Sequence, residues 1–157
     1  MRIVNLKLLN FRNYNHLTLS FSPSINVIYG KNGSGKTNLI EAIYVLGLTK
    51  SFRSTTDKVL VTKDKNLTKI SGVVFDNINK EYQLTISGDG KVAKIDSHRQ
   101  NKLSDYIAKV NIVLFHPDSL KVIKDSPGVR RDNLNIDMSQ FDNEFVNLLN
   151  DYEKVLK

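Results

Sequence analysis

The chemistry in this chain gathers in one short stretch, Gly30-Lys31-Asn32-Gly33-Ser34-Gly35-Lys36-Thr37, which meets the pattern G-x-x-x-x-G-K-[S/T] at every fixed position. Glycines at those places let backbone N–H groups turn inward around phosphate oxygens, and a helix starting just after them adds partial positive charge. Lys36 is the residue to reach the β- and γ-phosphates of a nucleotide, and the Thr37 hydroxyl is the magnesium ligand. The expected contact set runs from Gly30 through Lys31, Asn32, Gly33, Ser34, Gly35, Lys36 and Thr37 to Asn38. Such a pattern arises by chance in roughly one chain of this length in two hundred. A glycine turn with an exposed lysine is the plainer reading, and the strand-like run before the loop and the helical pattern after it argue against that reading.

A second group is electrostatic. Lys91, Lys94, His98, Arg99 and Lys102 cluster in sequence, and Arg130 and Arg131 are adjacent. They are either a solvated face or a phosphate-contacting surface; as the latter, Lys91, Lys94, Arg99, Lys102, Arg130 and Arg131 are the DNA-binding candidates. No aromatics alternate with them, so contact with the nucleic-acid backbone is expected rather than base stacking. The net charge of +7 and pI near 9.5 favour a polyanionic partner. The chain has no cysteine, which excludes disulfides, thiolate metal sites and cysteine nucleophiles, and its three histidines lie far apart. His16 and His98 have no nearby carboxylate or nucleophile pattern and read as surface histidines. Asp142, Glu144, Asp151 and Glu153 are spaced for the solvent face of a helix rather than for acid/base work.

Around these groups the sequence lays out one domain-sized α/β unit of 157 residues. Val4, Leu6 and Leu8 alternate with polar residues, as do Leu17, Leu19 and Phe21, so two strands are expected to pair across "NFRNYNH". "INVIY", Ile25 to Tyr29, is apolar and β-branched, the pattern of a strand buried on both faces of a parallel sheet. Leu39, Ile40, Ile43 and Leu46 form a helical stripe after the glycine loop. "TKISGVVF", "EYQLTIS" and "KVAKI", separated by "DNINK" and "GDG", predict an antiparallel meander. "KLSDYIAKV" predicts a short helix, "VNIVLF" a second buried strand, "HPDSLKVIK" another helix, and "SPGVRR" a serine-capped helix start with proline at its first position. Phe145, Leu148, Leu149, Tyr152, Val155 and Leu156 predict a terminal helix running to the last residue without a stop signal, so a fragment of something longer is expected. The expected division is a P-loop core over 1–66, the meander over 67–99, a return to the α/β core over 100–125 and a helical segment over 126–157. No apolar run is long enough to cross a membrane and the start lacks the form of a secretory signal, so a soluble cytoplasmic protein is expected.

Three segments together resemble the start of the RecF family of SMC- and ABC-type ATPase heads: "LKLLNFRNYNHLTLSFSPSINVIYGKNGSGKTNLIEAIYVLGLTKSFR", "VNIVLFHPDSLKVIKDSPGVRRDNL" and "DYEKVLK". The likeness spans essentially the whole chain. "NFRNY" is shared loosely with other SMC-like heads, whereas "LFHPDSLKVIKDSPGVRR" is particular to the RecF family. The resemblance implies an incomplete P-loop NTPase of ABC/SMC-head type, with an antiparallel meander as a subdomain, and puts Arg12 and Asn13 near the nucleotide. It implies ATP and magnesium as ligands, an ATP-dependent homodimer of the longer protein, duplex or gapped DNA as substrate, RecR and RecO as partners, and a role in loading recombinase during gap repair. His116 stands where ABC-type relatives carry the Q-loop glutamine, and Asn133 and Asn135 depart from an aromatic and an aspartate in the family pattern.

No apolar run ending in Asp-Glu supplies a Walker B motif, and there is no serine-glycine ABC signature. Without an acid to orient the attacking water, this stretch of chain is expected to bind nucleotide with almost no hydrolysis, the full-length protein being a weak DNA-stimulated ATPase. Two other classes stay open: a DNA-binding or interaction module whose P-loop is structural, and a small P-loop kinase acting on a metabolite. A kinase would turn over without DNA, and the meander and "SPGVRR" have no evident place in one.

Overall fold

Alternation of apolar and polar residues builds most of the structure. A computed structural model describes residues 1–107, 109–116, 119 and 126–156. Strand β1 (Arg2–Phe11) and strand β2 (Tyr14–Ser20) pair antiparallel, with Leu6 opposite Leu19 and Leu8 opposite Leu17. The turn between them holds only Arg12 and Asn13, and Arg12 takes a left-handed backbone with φ 53. The meander forms as β3 (Leu67–Asp76), β4 (Ile78–Ser87) and β5 (Gly90–Ile95), followed by a two-residue β6 (His98–Arg99). β3 pairs with β1, so the meander continues the sheet of the first hairpin, and all six strands make one antiparallel sheet in the order β2-β1-β3-β4-β5-β6.

One face of that sheet carries Leu6, Leu8, Ile70, Val74, Tyr82, Leu84, Ile86 and Ala93, all buried. Helix α1 (Lys36–Leu48) packs on it, adding Leu39, Ala42, Val45 and Leu46 to the same core. The stripe expected on α1 is therefore only partly right. Leu39 and Leu46 are buried, but Ile40 is exposed, and Tyr44, Gly47 and Leu48 are buried as well. The helix is enclosed on two sides, by the sheet and by Ile107, Val110, Ile112 and Leu114, and a single apolar face is the pattern of a helix covered on one side only.

The two buried strands expected at 25–29 and 110–115 are not present as strands. Both segments carry no ladder, and Ile25, Tyr29, Val113 and Phe115 are 82%, 89%, 99% and 81% exposed. Their composition suits a sheet, but a strand needs a neighbour for its N–H and C=O groups, and none lies beside them among the described residues.

Short helices complete the description. A 3-10 turn (Asp57–Leu60) buries Leu60 under the β1–β2 turn, where the Arg12 N–H donates to the Leu60 carbonyl at 2.8 Å. Helix α2 (Ser104–Ile107) is a single turn. Helix α3 (Pro127–Ser139) starts as expected, with Ser126 at the N-cap and Pro127 first, although the serine hydroxyl makes no cap bond. Helix α4 (Asn143–Val155) is capped by Asp142, whose side chain accepts from the Glu144 N–H at 2.8 Å. The helix expected in "HPDSLKVIK" falls largely outside the described residues. Among the described residues no helix is long and apolar enough to cross a membrane.

Candidate nucleotide site

Gly30, Gly33 and Gly35 all have positive φ, at 148, 81 and 98, so the loop turns in a way that side-chain-bearing residues resist. Gly35 is the N-cap of α1, no side chain caps that end, and the first turn holds no acid. The first N–H groups of α1 are thus left for an external acceptor, at the end of the helix that favours negative charge. Lys36 folds back across the loop, its Nζ donating to the carbonyls of Gly30 at 2.8 Å and Lys31 at 2.7 Å. Thr37 is exposed beside it. Uncapped donors, an inward lysine, an accessible hydroxyl and no competing acid fit a phosphate chain. Among the described residues no group of three His, Asp or Glu is placed to hold a metal, so a magnesium ion would rest on Thr37 and on the phosphates themselves.

The β1–β2 turn leans over this loop. A methyl group at Gly35 would lie 2.8 Å from Asn13 Nδ2 and 2.8 Å from the Tyr14 hydroxyl. Asn38 Nδ2 donates to Asn13 Oδ1 at 2.8 Å, which ties the turn to the first turn of α1. Arg12, Asn13 and Asn38, expected near the nucleotide, are thus brought to the cradle together.

Behind them lies a network that the sequence reading missed. Glu41, fully buried in α1, accepts from Arg12 Nε at 2.9 Å and Nη2 at 2.6 Å, from the Ser51 hydroxyl at 2.5 Å and from Arg53 Nη1 at 3.3 Å. Arg53 Nη1 also donates to Asn38 Oδ1 at 2.8 Å. A signal was available: Glu41 is the single charged residue in the otherwise apolar run "LIEAIYVLGL".

The basic candidates part company. Lys91 turns into the fold, its Nζ donating to the Thr49 carbonyl at 2.6 Å and pairing with Asp57 at 2.8 Å. Lys94 and Arg99 face the same way as register partners on β5 and β6. Lys94 opposes Gln83, Gln83 opposes Ser71, and Ser71 opposes Lys7, so one row crosses the sheet on the face away from α1. Lys102 is exposed ahead of α2, and Arg130 and Arg131 are exposed on α3. His116 sits against Phe52 with ring centroids 5.3 Å apart, and it lines, with Asn133 and Asn135, a cavity of about 420 Å³ between α1 and the two last helices. Burial, then the charge of Asp137, raise the Tyr44 hydroxyl pKa at that cavity.

The profile of RecF/RecN/SMC N-terminal domains matches residues 2–116. The chain is 42% identical to the DNA replication and repair protein RecF of Oceanobacillus iheyensis over 100% of its own length and 43% of that protein's. It is 43% identical to the RecF of Bacillus subtilis over 99% of its own length and 42% of that protein's. It therefore spans less than half the length of these relatives. Its fold superimposes on a solved structure of the recombination mediator RecF with ATP, from the RecFOR pathway, at a TM-score of 0.92 and 30% identity, covering 97% of this chain and 42% of that one.

Proposed function

We propose, from a chain that belongs to the family of RecF/RecN/SMC N-terminal domains, that Gly30 to Asn38 hold the phosphates of ATP and that the native-length protein is a RecF-type recombination mediator. The observation that carries this reading is the cradle itself: positive-φ glycines leading into an uncapped helix end, with Lys36 already folded across the loop. Lys36 exchanges two carbonyl partners for β- and γ-phosphate oxygens, a stronger charge-assisted contact. The Thr37 hydroxyl orients magnesium, and Asn13 and Arg12 close the side of the cradle formed by the hairpin turn. ATP bound there supplies the charge that joins two heads in an ATP-dependent homodimer.

DNA is the second ligand of this reading. Support comes from the net charge of +7 and from the row of Lys7, Lys94 and Arg99 across the open face of the sheet. Lys102, Arg130 and Arg131 extend the candidate backbone-contacting set. RecR and RecO are the partner proteins that belong to this function, and the cytoplasm is where it operates.

The test is anisotropy of labelled gapped duplex with the native-length protein, with ATP, with ADP and with Lys36→Ala, at two salt concentrations. ATP-strengthened, salt-sensitive binding that disappears in Lys36→Ala is the expected result. Equal affinity in every nucleotide state and in the variant sinks ATP control and leaves a DNA-binding module with a structural P-loop.

A further inference from the structure

Glu41 stands one turn beyond Thr37 on α1, and residues four apart share a helix face. Its carboxylate is fully buried and accepts from two arginines that come from different parts of the chain: Arg12 on the hairpin turn, and Arg53 on the loop after α1. Taking the Glu41 carboxylate wholly and the Arg12 guanidinium largely out of water is costly, and an apolar cluster of similar volume commonly serves stability as well, while Arg53 keeps its guanidinium exposed. The arrangement is also unbalanced, since one negative charge holds two positive ones.

The donors that remain tell what the imbalance is for. Arg12 gives Nε and Nη2 to Glu41, and Arg53 gives Nη1 to Glu41 and Asn38. Arg12 Nη1 and Arg53 Nε and Nη2 have no partner among the described residues. Each guanidinium is gripped by one edge and offers the rest. Asn38, which anchors Arg53, also anchors Asn13 over Gly35, so both arginines are fixed to the turn of α1 that opens the cradle. Ser51 locks the same carboxylate, and its hydroxyl also accepts from the Arg53 N–H at 2.9 Å, which holds the loop carrying Arg53.

We propose that Glu41 is a positioning residue which presents the guanidiniums of Arg12 and Arg53 as fixed cations at the flank of the P-loop, tuned to a triphosphate over a diphosphate. The proposal rests on the nucleotide reading above. Cations held in place need no reorganisation when a polyanion arrives, and their contribution grows with the ligand's charge.

The experiment measures affinities of the full-length protein for ADP and for a slowly hydrolysed ATP analogue, with thermal midpoints recorded alongside. The variants are Lys36→Ala, Glu41→Gln, Arg53→Ala, Ser51→Ala and the Glu41→Gln/Arg53→Ala pair. The expected result is that Glu41→Gln and Arg53→Ala each weaken the triphosphate about tenfold and the diphosphate much less, as loss of a charge-assisted contact does. The pair is expected to bind about as well as the weaker single variant, because Glu41 acts through Arg53. A folded Glu41→Gln protein with an unchanged ratio of the two affinities overturns the proposal, and so does full additivity in the pair. If Glu41→Gln does not fold, exposed Arg53 and half-buried Ser51 decide: an unchanged ratio in both Arg53→Ala and Ser51→Ala overturns it equally. Wild type and Lys36→Ala binding alike removes the nucleotide reading itself, and this proposal with it.

Discussion

Gly33→Ala and Gly35→Ala place the same methyl group two residues apart in the cradle, and the structure assigns them different costs. Both glycines have left-handed backbones, φ 81 and φ 98. An alanine held there costs about 1–2 kcal/mol at either position. At Gly33 nothing lies within 4 Å of the added carbon, so the cost stops there. At Gly35 the carbon meets Asn13 Nδ2 at 2.8 Å and the Tyr14 hydroxyl at 2.8 Å, nearer than real contacts allow. The Asn13 amide and the Tyr14 hydroxyl, both side-chain ends, must swing aside, and the Asn38–Asn13 bond goes with them, adding about 1 kcal/mol. At Gly33 the strain is relieved in the free loop and reappears on binding, as a loss of nucleotide affinity of about fivefold to thirtyfold. At Gly35 the loss reaches about thirtyfold to a hundred-and-fiftyfold, because about 2–3 kcal/mol must be met. Gly35→Ala also lowers the thermal midpoint, because β1 and β2 form part of the folded core, whereas Gly33→Ala leaves it unchanged. Titration with a fluorescent ATP analogue and thermal unfolding of both variants check this. Equal affinity losses and equal midpoints refute the reasoning, since they mean that the hairpin turn does not brace the cradle.

Tyr106 is fully buried and its hydroxyl has no partner among the described residues, while its ring packs edge-on against Tyr82 at 5.8 Å. Tyr106→Phe keeps the ring and removes the stranded hydroxyl, for a gain of about 1 kcal/mol. Burial first, and Tyr82 second, raise the Tyr106 pKa well above its ordinary value. Its neutral form therefore stabilises the fold below about pH 10, and that stability is lost as the pH rises further, by up to about 1.4 kcal/mol per pH unit. Denaturant unfolding at pH 8 and above pH 10 is expected to show a shallower alkaline loss in Tyr106→Phe, and an unchanged loss removes this account. On DNA, Lys94→Gln with Arg99→Gln is expected to lower the slope of log affinity against log salt by about 2. Lys91→Gln, whose ammonium is already spent on Thr49 and Asp57, is expected to leave that slope alone and lower the thermal midpoint instead.

What was legible in the sequence was whatever one contiguous stretch encodes. The P-loop is eight adjacent residues, so its chemistry and its place between an apolar run and a helix could be read directly. The strands of the sheet could be read because alternation repeats every two residues, and each strand carries its own pattern. Pairing across elements was not legible in the same way. Nothing in "TKISGVVF" says that its neighbour is β1 rather than another part of the meander. Glu41 gathers residues 12, 51 and 53, and no spacing rule joins a hairpin turn to a loop after a helix. Lys91 illustrates the opposite error: it belongs to a run of basic residues in sequence, yet its charge is satisfied inside the fold. Composition made 25–29 and 110–115 look like buried strands, but burial belongs to a strand together with its neighbours, and that is information a segment does not contain.

Strand β1 shows why the antiparallel sheet and the P-loop belong to one unit. Along its ten residues it presents Lys7 on the open face, Leu6 and Leu8 to the core beneath α1, and at its end the Arg12-Asn13 turn. Lys7 and Arg12 are five residues apart, and left-handed backbones at Asn10 and Arg12 bend the chain between them. From Asn5 to Leu9 the cross-strand ladder stiffens β1 on both edges, with β2 and with β3, and beyond Leu9 these ladders reach only Phe11, opposite Tyr14. The Arg12 end is held by the Glu41 carboxylate and by the Leu60 carbonyl, and the neighbouring Asn13 by Asn38. A displacement of the turn caused at Gly35 therefore has two outlets. It can break the bonds to α1, or it can shift β1 and the row of basic residues ordered across it. The first outlet is local and is opposed by the Glu41 and Asn38 contacts; the second is opposed by the ladders that hold β1 between β2 and β3.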